Sequence, residues 1–316
     1  MNDRTLLIGT RGSDLALWQS KHVAARLSAA TGLVIIKTEG DRILDRDLSG
    51  AEGKGFFTKE LEEALYARQV DLAVHSLKDL PTLTPPGLAI AAVCERAPVA
   101  DVLLVHPDWH DPSQPFPVKA GAQVGASSLR RQAYVRTAKG DVEPASLRGN
   151  VPTRVRKCKE GQYAAVVLAE AGLSRLALDF QPLVAYRLNP LVWLPAPGQG
   201  ALAIETRAND SAFDVCAKLE HEPTRDATAV ERGLLARFEG GCHLPLGTLA
   251  RRTATGLHFT ACFAPEPDRL VRCEIDAADL SSAVETAFAE LNARSASGER
   301  ASFEGAALCQ RIDAWS

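Results

Sequence analysis

Leu72-Ala73-Val74-His75-Ser76-Leu77-Lys78-Asp79-Leu80-Pro81 is a short apolar run that ends abruptly in polar residues and a proline. Four apolar-leaning residues, 72–75, have the length of a buried strand, and Pro81 forbids its continuation. Upstream, Thr5–Gly9 reads as another short strand. Gly12, Ser13 and Asp14 then offer a turn and an N-cap for a helix over Leu15–Ala30, with Ala16, Ser20, Val23 and Leu27 on one face. Leu33–Lys37 predicts a second strand, and Thr58–Arg68 a second helix. Strand, helix and strand alternate, so the fold class is α/β. The glycine-rich, charged stretch between, Glu39–Gly55, reads as a mobile loop.

Downstream, Pro81, Pro85 and Pro86 precede a strand at Leu88–Val93. A second α/β unit follows the proline-rich segment Pro107–Pro117. It holds a strand at Gln123–Gly125, a helix from Ser128, a helix near Pro152–Lys159 and a strand at Ala164–Leu168. Pro195-Ala196-Pro197-Gly198 looks like a crossover into the apolar stretch Ala201–Ile204. Two helices, about Ser211–Leu219 and Asp226–Phe238, then lead to strands at Leu257–Phe263 and Leu270–Ile275 and a helix over Leu280–Ala293. This tail reads as a small α+β domain.

The chain has 316 residues, too many for one ordinary core, and 46% of them are hydrophobic. No stretch approaches the roughly 20 apolar residues of a membrane-spanning helix. With no signal-peptide pattern at its start, the chain is expected in the cytoplasm. Seven cysteines at 94, 158, 216, 242, 262, 273 and 309 are widely spaced, without a C-x-x-C pair. That speaks against a disulfide framework and a structural zinc site. Net charge is −3, which gives no general attraction to nucleic acid or acidic membranes. Yet nine Lys and Arg fall between Arg130 and Lys159 against two acids, Asp141 and Glu143. Such a segment reads as a local site for anions; a solvated helix face is the other reading, which suits Lys157 and Lys159 better than the arginines beside glycine and serine.

Four places combine a strand end or turn with polar side chains: Arg11-Gly12-Ser13, His75–Asp79, Ser127-Ser128-Leu129-Arg130-Arg131, and Arg148–Arg154. Helix N-termini offer free N–H groups to anions, and arginine adds a planar fork suited to carboxylate. One such place is more often structural, with serine as cap and arginine at the surface. Four together point to a ligand carrying many negative groups. A phosphate-binding glycine loop is absent, and Gly53-Lys54-Gly55 is too short to stand for one. Asp79 reads either as a helix cap or as an ionised group that stabilises a developing cation. Cys242, within Glu239-Gly240-Gly241-Cys242-His243-Leu244-Pro245, sits in a glycine-rich turn; a buried structural thiol is the other reading.

Thr10–Ser13 with Leu15–Gln19, Gly53–Leu61, His75–Pro81, Ser127–Gln132, Leu147–Arg154, Leu168–Leu176, Leu194–Glu205 and the Cys242 turn together resemble the porphobilinogen deaminase (hydroxymethylbilane synthase) family, in order and spacing. The resemblance runs from residue 5 to about 250 and is less specific in the tail. It implies two periplasmic-binding-protein-like α/β domains, 1–95 with 196–216 and 96–195, with the active cleft between them. A smaller C-terminal α+β domain, 217–316, carries the cysteine turn.

The resemblance further implies a covalent dipyrromethane cofactor, one per chain, joined to Cys242 as a thioether. Four porphobilinogen units are then added head to tail with loss of ammonia, and hydrolysis releases hydroxymethylbilane for haem biosynthesis. Asp79 matches the catalytic aspartate. Lys78, Ser76, Asp41, Ser127, Ser128, Arg130, Arg131, Arg148 and Gly172 match cofactor-binding positions. Arg11, Ser13, Gln19, Phe57, Arg148, Arg154, Arg175 and Gln199 match substrate-binding ones. A cytoplasmic monomer without metal, which hands its product to uroporphyrinogen-III synthase, completes the expectation.

Departures are local. Gly12 stands where many members have Gln, Ala126 replaces a frequent hydroxyl residue, and in Ser49–Gly53 a basic residue is missing at Gly50 while Glu52 adds an acid. A non-catalytic binding protein for carboxylate or oxyanion ligands, with hinges near 95 and 196, is the alternative; it leaves Cys242 and the third domain unexplained. Nucleic-acid binding rests only on the basic segment, which lacks interleaved aromatics apart from Tyr134.

Overall fold

The computed structural model describes residues 4–38, 58–239 and 244–315. The Glu39–Gly55 loop, with Asp41, the departures at 49–53 and Gly53-Lys54-Gly55, lies outside the described residues, as do Phe57 and Cys242.

In chain order the first strands and helices are β1 (Leu6–Thr10), α1 (Asp14–Ala24), β2 (Thr31–Ile35), α2 (Lys59–Tyr66), β3 (Leu72–Ser76) and β4 (Leu88–Val93). Then come β5 (Asp101–Val105), β6 (Gln123–Gly125), α3 (Leu129–Ala138), β7 (Glu143–Ala145), α4 (Val151–Lys159), β8 (Ala165–Ala169), α5 (Glu170–Arg175) and β9 (Val184–Leu188). The chain continues through β10 (Leu202–Arg207), α6 (Ser211–Ala217), α7 (Glu222–Arg237), β11 (Leu246–Thr253), β12 (Gly256–Glu266), β13 (Arg269–Ala277), α8 (Leu280–Ala296) and β14 (Cys309–Ile312).

Two compact units result, residues 1–97 with 200–226, and 98–199 with 227–316. The first holds a five-stranded sheet in the order β2-β1-β3-β10-β4. β1 runs parallel to β2 and β3, whereas β10 is antiparallel to β3 and β4. Alternate side chains of β3 serve opposite faces, as the two-residue strand period requires. Leu72 and Val74 pack with Ile8, Val23 and Ile204, while Ala73 meets Leu61, Leu65 and Val70 of the α2 side. Burial on both faces is what a largely parallel core demands. At Gly9 a Cβ would lie 3.1 Å from Leu61 and 3.2 Å from Val70, so α2 packs close to the strand backbone.

The second unit has a six-stranded sheet, β14-β9-β5-β8-β6-β7, and a three-stranded antiparallel sheet, β11-β12-β13. One face of the small sheet is covered by α7 and α8, through Leu234, Ala283, Ala287 and Leu291 against Phe259, Val271 and Ile275. From its other face Leu249, Cys262 and Leu270 join a core with Tyr134 and Trp193. Gly247 permits that approach: a Cβ there would fall 2.6 Å from the Tyr134 hydroxyl. No helix among the described residues is long and apolar enough to cross a membrane.

The first helix stops at Ala24, six residues short of the sequence reading. Residues 25–29 turn instead, because Thr31–Ile35 must pair with β1 and Leu6 N–H bonds to Ala30 O. β5, β7, β9, β11 and β14 were not foreseen in the sequence. β5 is buried at all five positions, so it carries no polar–apolar alternation.

Candidate active site

In the first unit, β1 delivers the chain into Arg11-Gly12-Ser13. Ser13 caps α1, its hydroxyl accepting from Ala16 N–H at 3.4 Å. One turn on, buried Gln19 donates through Nε2 to Ser76 Oγ over 2.8 Å. The end of β3 is therefore tied to the helix that follows β1. Beyond Ser76 a 3-10 turn spans Leu77–Asp79, with Leu77 N–H on Ala201 O and Leu80 N–H on Leu77 O. Leu77 and Leu80 are buried with Val93, Ala201 and Ala203. Between these two anchors Lys78 is half-buried and Asp79 exposed. Burial of the flanking leucines is thus what sets the carboxylate outward. Beneath the turn, His75 and Glu205 form a buried pair at 3.1 Å.

The second unit repeats the plan. β6 ends at Gly125, and Ser127 Oγ donates to Leu147 O. Ser128 caps α3 by accepting from Arg131 N–H at 3.2 Å. The Arg130 and Arg131 side chains turn into the protein, 3% and 5% exposed, and converge on Asp101 at the head of β5. Arg130 Nη2 reaches Asp101 Oδ2 at 2.8 Å and its Nη1 reaches Leu194 O at 2.7 Å. Arg131 grips both oxygens, through Nε at 3.1 Å and Nη2 at 2.7 Å. Trp193 Nε1 and Gln199 Nε2 add bonds of 3.1 and 2.9 Å. Burial would raise this acid, but the charges of Arg130 and Arg131 and their hydrogen bonds outweigh it. Asp101 is held far below the usual carboxylate range.

Asn150 caps α4 by accepting from Thr153 N–H at 3.0 Å, and Arg154 Nε donates to Gly149 O at 2.7 Å. Lys157 Nζ reaches Arg148 O at 3.3 Å. Arg148 and Arg154 are half-buried and frame the start of the helix. Gly149 has φ +109°, and a Cβ there would meet Thr153 Cγ2 at 2.7 Å. Only glycine fits that backbone without strain. Gly172 lies buried within α5 and Arg175 closes that helix, half-buried.

Of the candidates in the first unit, Gln19 and Ser76 are bonded to each other, Lys78 and Asp79 follow in the next turn, and Ser13 stands at the start of α1. Ser127, Ser128, Arg130, Arg131, Arg148 and Arg154 stand at two helix starts of the second. Gln199 is fully buried and directed at Val99 O and Asp101. Asp101, Trp193 and the His75–Glu205 pair escaped the sequence reading. The one signal for Asp101 is an acid heading a wholly apolar run, Val102–Val105. Five of the described thiols are poor nucleophiles: burial pushes Cys158, Cys216 and Cys273 up to about 12, and Cys262 and Cys309 to about 11.

Residues 6–214 match the family described as "Porphobilinogen deaminase, dipyromethane cofactor binding domain", and residues 226–289 its C-terminal domain. The porphobilinogen deaminase of Roseiflexus sp. strain RS-1 is 44% identical over 275 residues, covering 85% of this chain and 89% of that one. That of Syntrophobacter fumaroxidans is 45% identical over 253 residues, covering 78% and 80%. Among solved structures, an ancestral cationic amino acid solute binding protein aligns with a TM-score of 0.40 and 13% identity, over 68% of this chain and 87% of that one. On the family match and these relatives, the chain belongs to the porphobilinogen deaminase family.

Proposed function

We propose that this chain joins four porphobilinogen units head to tail, releasing ammonia at each addition and hydroxymethylbilane at the end, in tetrapyrrole biosynthesis. The observation that carries the reading is the family match across residues 6–214, whose description names a dipyrromethane-binding domain.

The donor set of the second unit fits such a group. A dipyrromethane bears several carboxylates, and here two capped helix starts lie beside Arg131, Arg148 and Arg154. Cys242 is the attachment residue; burial raises the thiols of Cys158, Cys216, Cys262, Cys273 and Cys309 and leaves those five poorly suited to that role. When bound, the cofactor supplies the pyrrole carbon to which the first substrate is joined.

The protein's own residues do the rest. Arginine forks at residues 11, 148, 154 and 175, with Arg131 contributing through the Nη1 that its clasp on Asp101 leaves outside, bind acetate and propionate groups and so orient each pyrrole. Loss of ammonia from porphobilinogen leaves a cationic pyrrole, and the exposed Asp79 carboxylate stabilises positive charge at the ring nitrogen. Lys78, beside it, binds a ring carboxylate. Ser76, held by Gln19, fixes where this turn begins. We propose further that the chain acts as a cytoplasmic monomer and that its product passes to uroporphyrinogen-III synthase.

Intact-mass measurement of the purified protein, with Ehrlich's reagent as a colour test, decides the reading. A covalent addition of two pyrrole units on the Cys242 peptide, with porphobilinogen-dependent ammonia release, is the expected result. A folded chain with neither would favour a carboxylate-binding module without turnover.

A further inference from the structure

Asp101 is fully buried at the head of β5 and accepts five hydrogen bonds: two from Arg131, and one each from Arg130, Trp193 and Gln199. We propose that Asp101 is a positioning residue, which sets the attitude of Arg131 and so the cationic group that the start of α3 offers to a pyrrole carboxylate. The proposal rests on the functional reading above.

Three features carry it. First, the Arg131–Asp101 contact is a fork on a fork: Nε and Nη2 address both carboxylate oxygens, which fixes the guanidinium plane and leaves Nη1 outside the clasp. Second, the charges do not cancel. Two guanidinium groups share one carboxylate, so the cluster keeps a net positive charge, and Arg130 Nε is buried without a partner among the described residues. Third, the shell around the acid comes from distant parts of the chain. Trp193 and Gln199 flank the 195–198 crossover, where buried Glu231 accepts from Gly198 N–H at 2.8 Å and from Ala250 N–H at 3.1 Å. Asp101 is thus pinned from several elements before it pins Arg131.

The experiment compares Asp101→Asn with Asp71→Asn. Asp71 is also a buried carboxylate that holds two arginines, Arg4 at 2.6 Å and Arg207 at 3.3 Å, but in the other unit. Loss of fold alone moves both variants alike, in melting temperature and circular dichroism. Expected for Asp101→Asn only is a rise of about tenfold in KM for porphobilinogen, with a smaller change in kcat, and a lower fraction of chains bearing the covalent adduct by intact mass. Trp193→Phe removes a single donor to Asp101 and should raise KM by a smaller factor, so the claim stays open to refutation if Asp101→Asn does not fold. KM and adduct fraction equal to those of the parent, or of Asp71→Asn, would overturn it. Porphobilinogen binding by calorimetry separates the two failures. A parent that neither carries adduct nor turns over sinks the functional reading, while equal affinity of parent and Asp101→Asn, or no binding by either, sinks the positioning role.

Discussion

Gln19 Nε2 lies 2.8 Å from Ser76 Oγ, so the first helix holds the residue from which the Leu77–Asp79 turn departs. Gln19 is buried, only 4% exposed, and Ser76 is half-buried. Replacing Gln19 by Ala strands the Ser76 hydroxyl and should cost about 1–3 kcal/mol in urea unfolding. KM for porphobilinogen should rise with it, since the turn loses its tether. An unchanged urea midpoint would show the bond to be dispensable.

Asp79 is exposed between two buried leucines, and its side chain can change without disturbing the packing. Asp79→Asn should therefore keep the parental melting temperature and lower kcat by about a hundredfold or more. Initial rates near those of the parent would remove Asp79 from the assigned role.

Gly149→Ala should destabilise by about 1–3 kcal/mol, because the backbone is left-handed there and the new methyl meets Thr153. Gly140→Ala is the control, with nothing within 4 Å of its added Cβ. Equal thermal midpoints for the two would refute the strain argument.

Acid should dissolve the Asp101 cluster in a defined window. A carboxyl whose folded pKa is depressed adds stability wherever the unfolded chain is ionised, above about 4, and loses it as pH falls further. Urea unfolding of the parent and Asp101→Asn should show a constant gap between pH 7 and 5. Below about 4 the gap should narrow. A gap that stays constant to pH 3 would contradict the assigned linkage.

Thiol chemistry gives a further check. With pKa values of about 12 at Cys158, Cys216 and Cys273, iodoacetamide at pH 8 should leave those three peptides unmodified in the native protein. Rapid native alkylation at any of them would show the site to be open.

Local chemistry was the readable part. Ser13 and Ser128 each follow a strand and precede a helical pattern, and both are N-caps; Pro152 sits in the first turn of α4 as its fixed φ allows. The α/β alternation around Leu72–Asp79 was legible for the same reason. What stayed hidden depends on partners far along the chain. Arg130 and Arg131 read as ligand-facing arginines at a helix start, and nothing near them shows that Asp101, about thirty residues earlier, draws them inward. β5 is buried on both sides, which erases the alternation that marks a strand. The Leu15–Ala30 periodicity overshot because pairing between β1 and β2 ends the helix, and pairing is not a local property.

The placement of β10 has a consequence for how the polypeptide is made. This strand lies between β3 and β4, yet roughly a hundred residues separate it from β4 in sequence. During synthesis the opening ninety-odd residues emerge with the middle of their sheet vacant, and they must wait until Arg207 has left the ribosome. The intervening stretch is free to start condensing while the nascent amino-terminal half is still incomplete. Truncated products that stop before residue 202 would then expose unpaired edges on β3 and β4, and such fragments should aggregate or be degraded rather than accumulate.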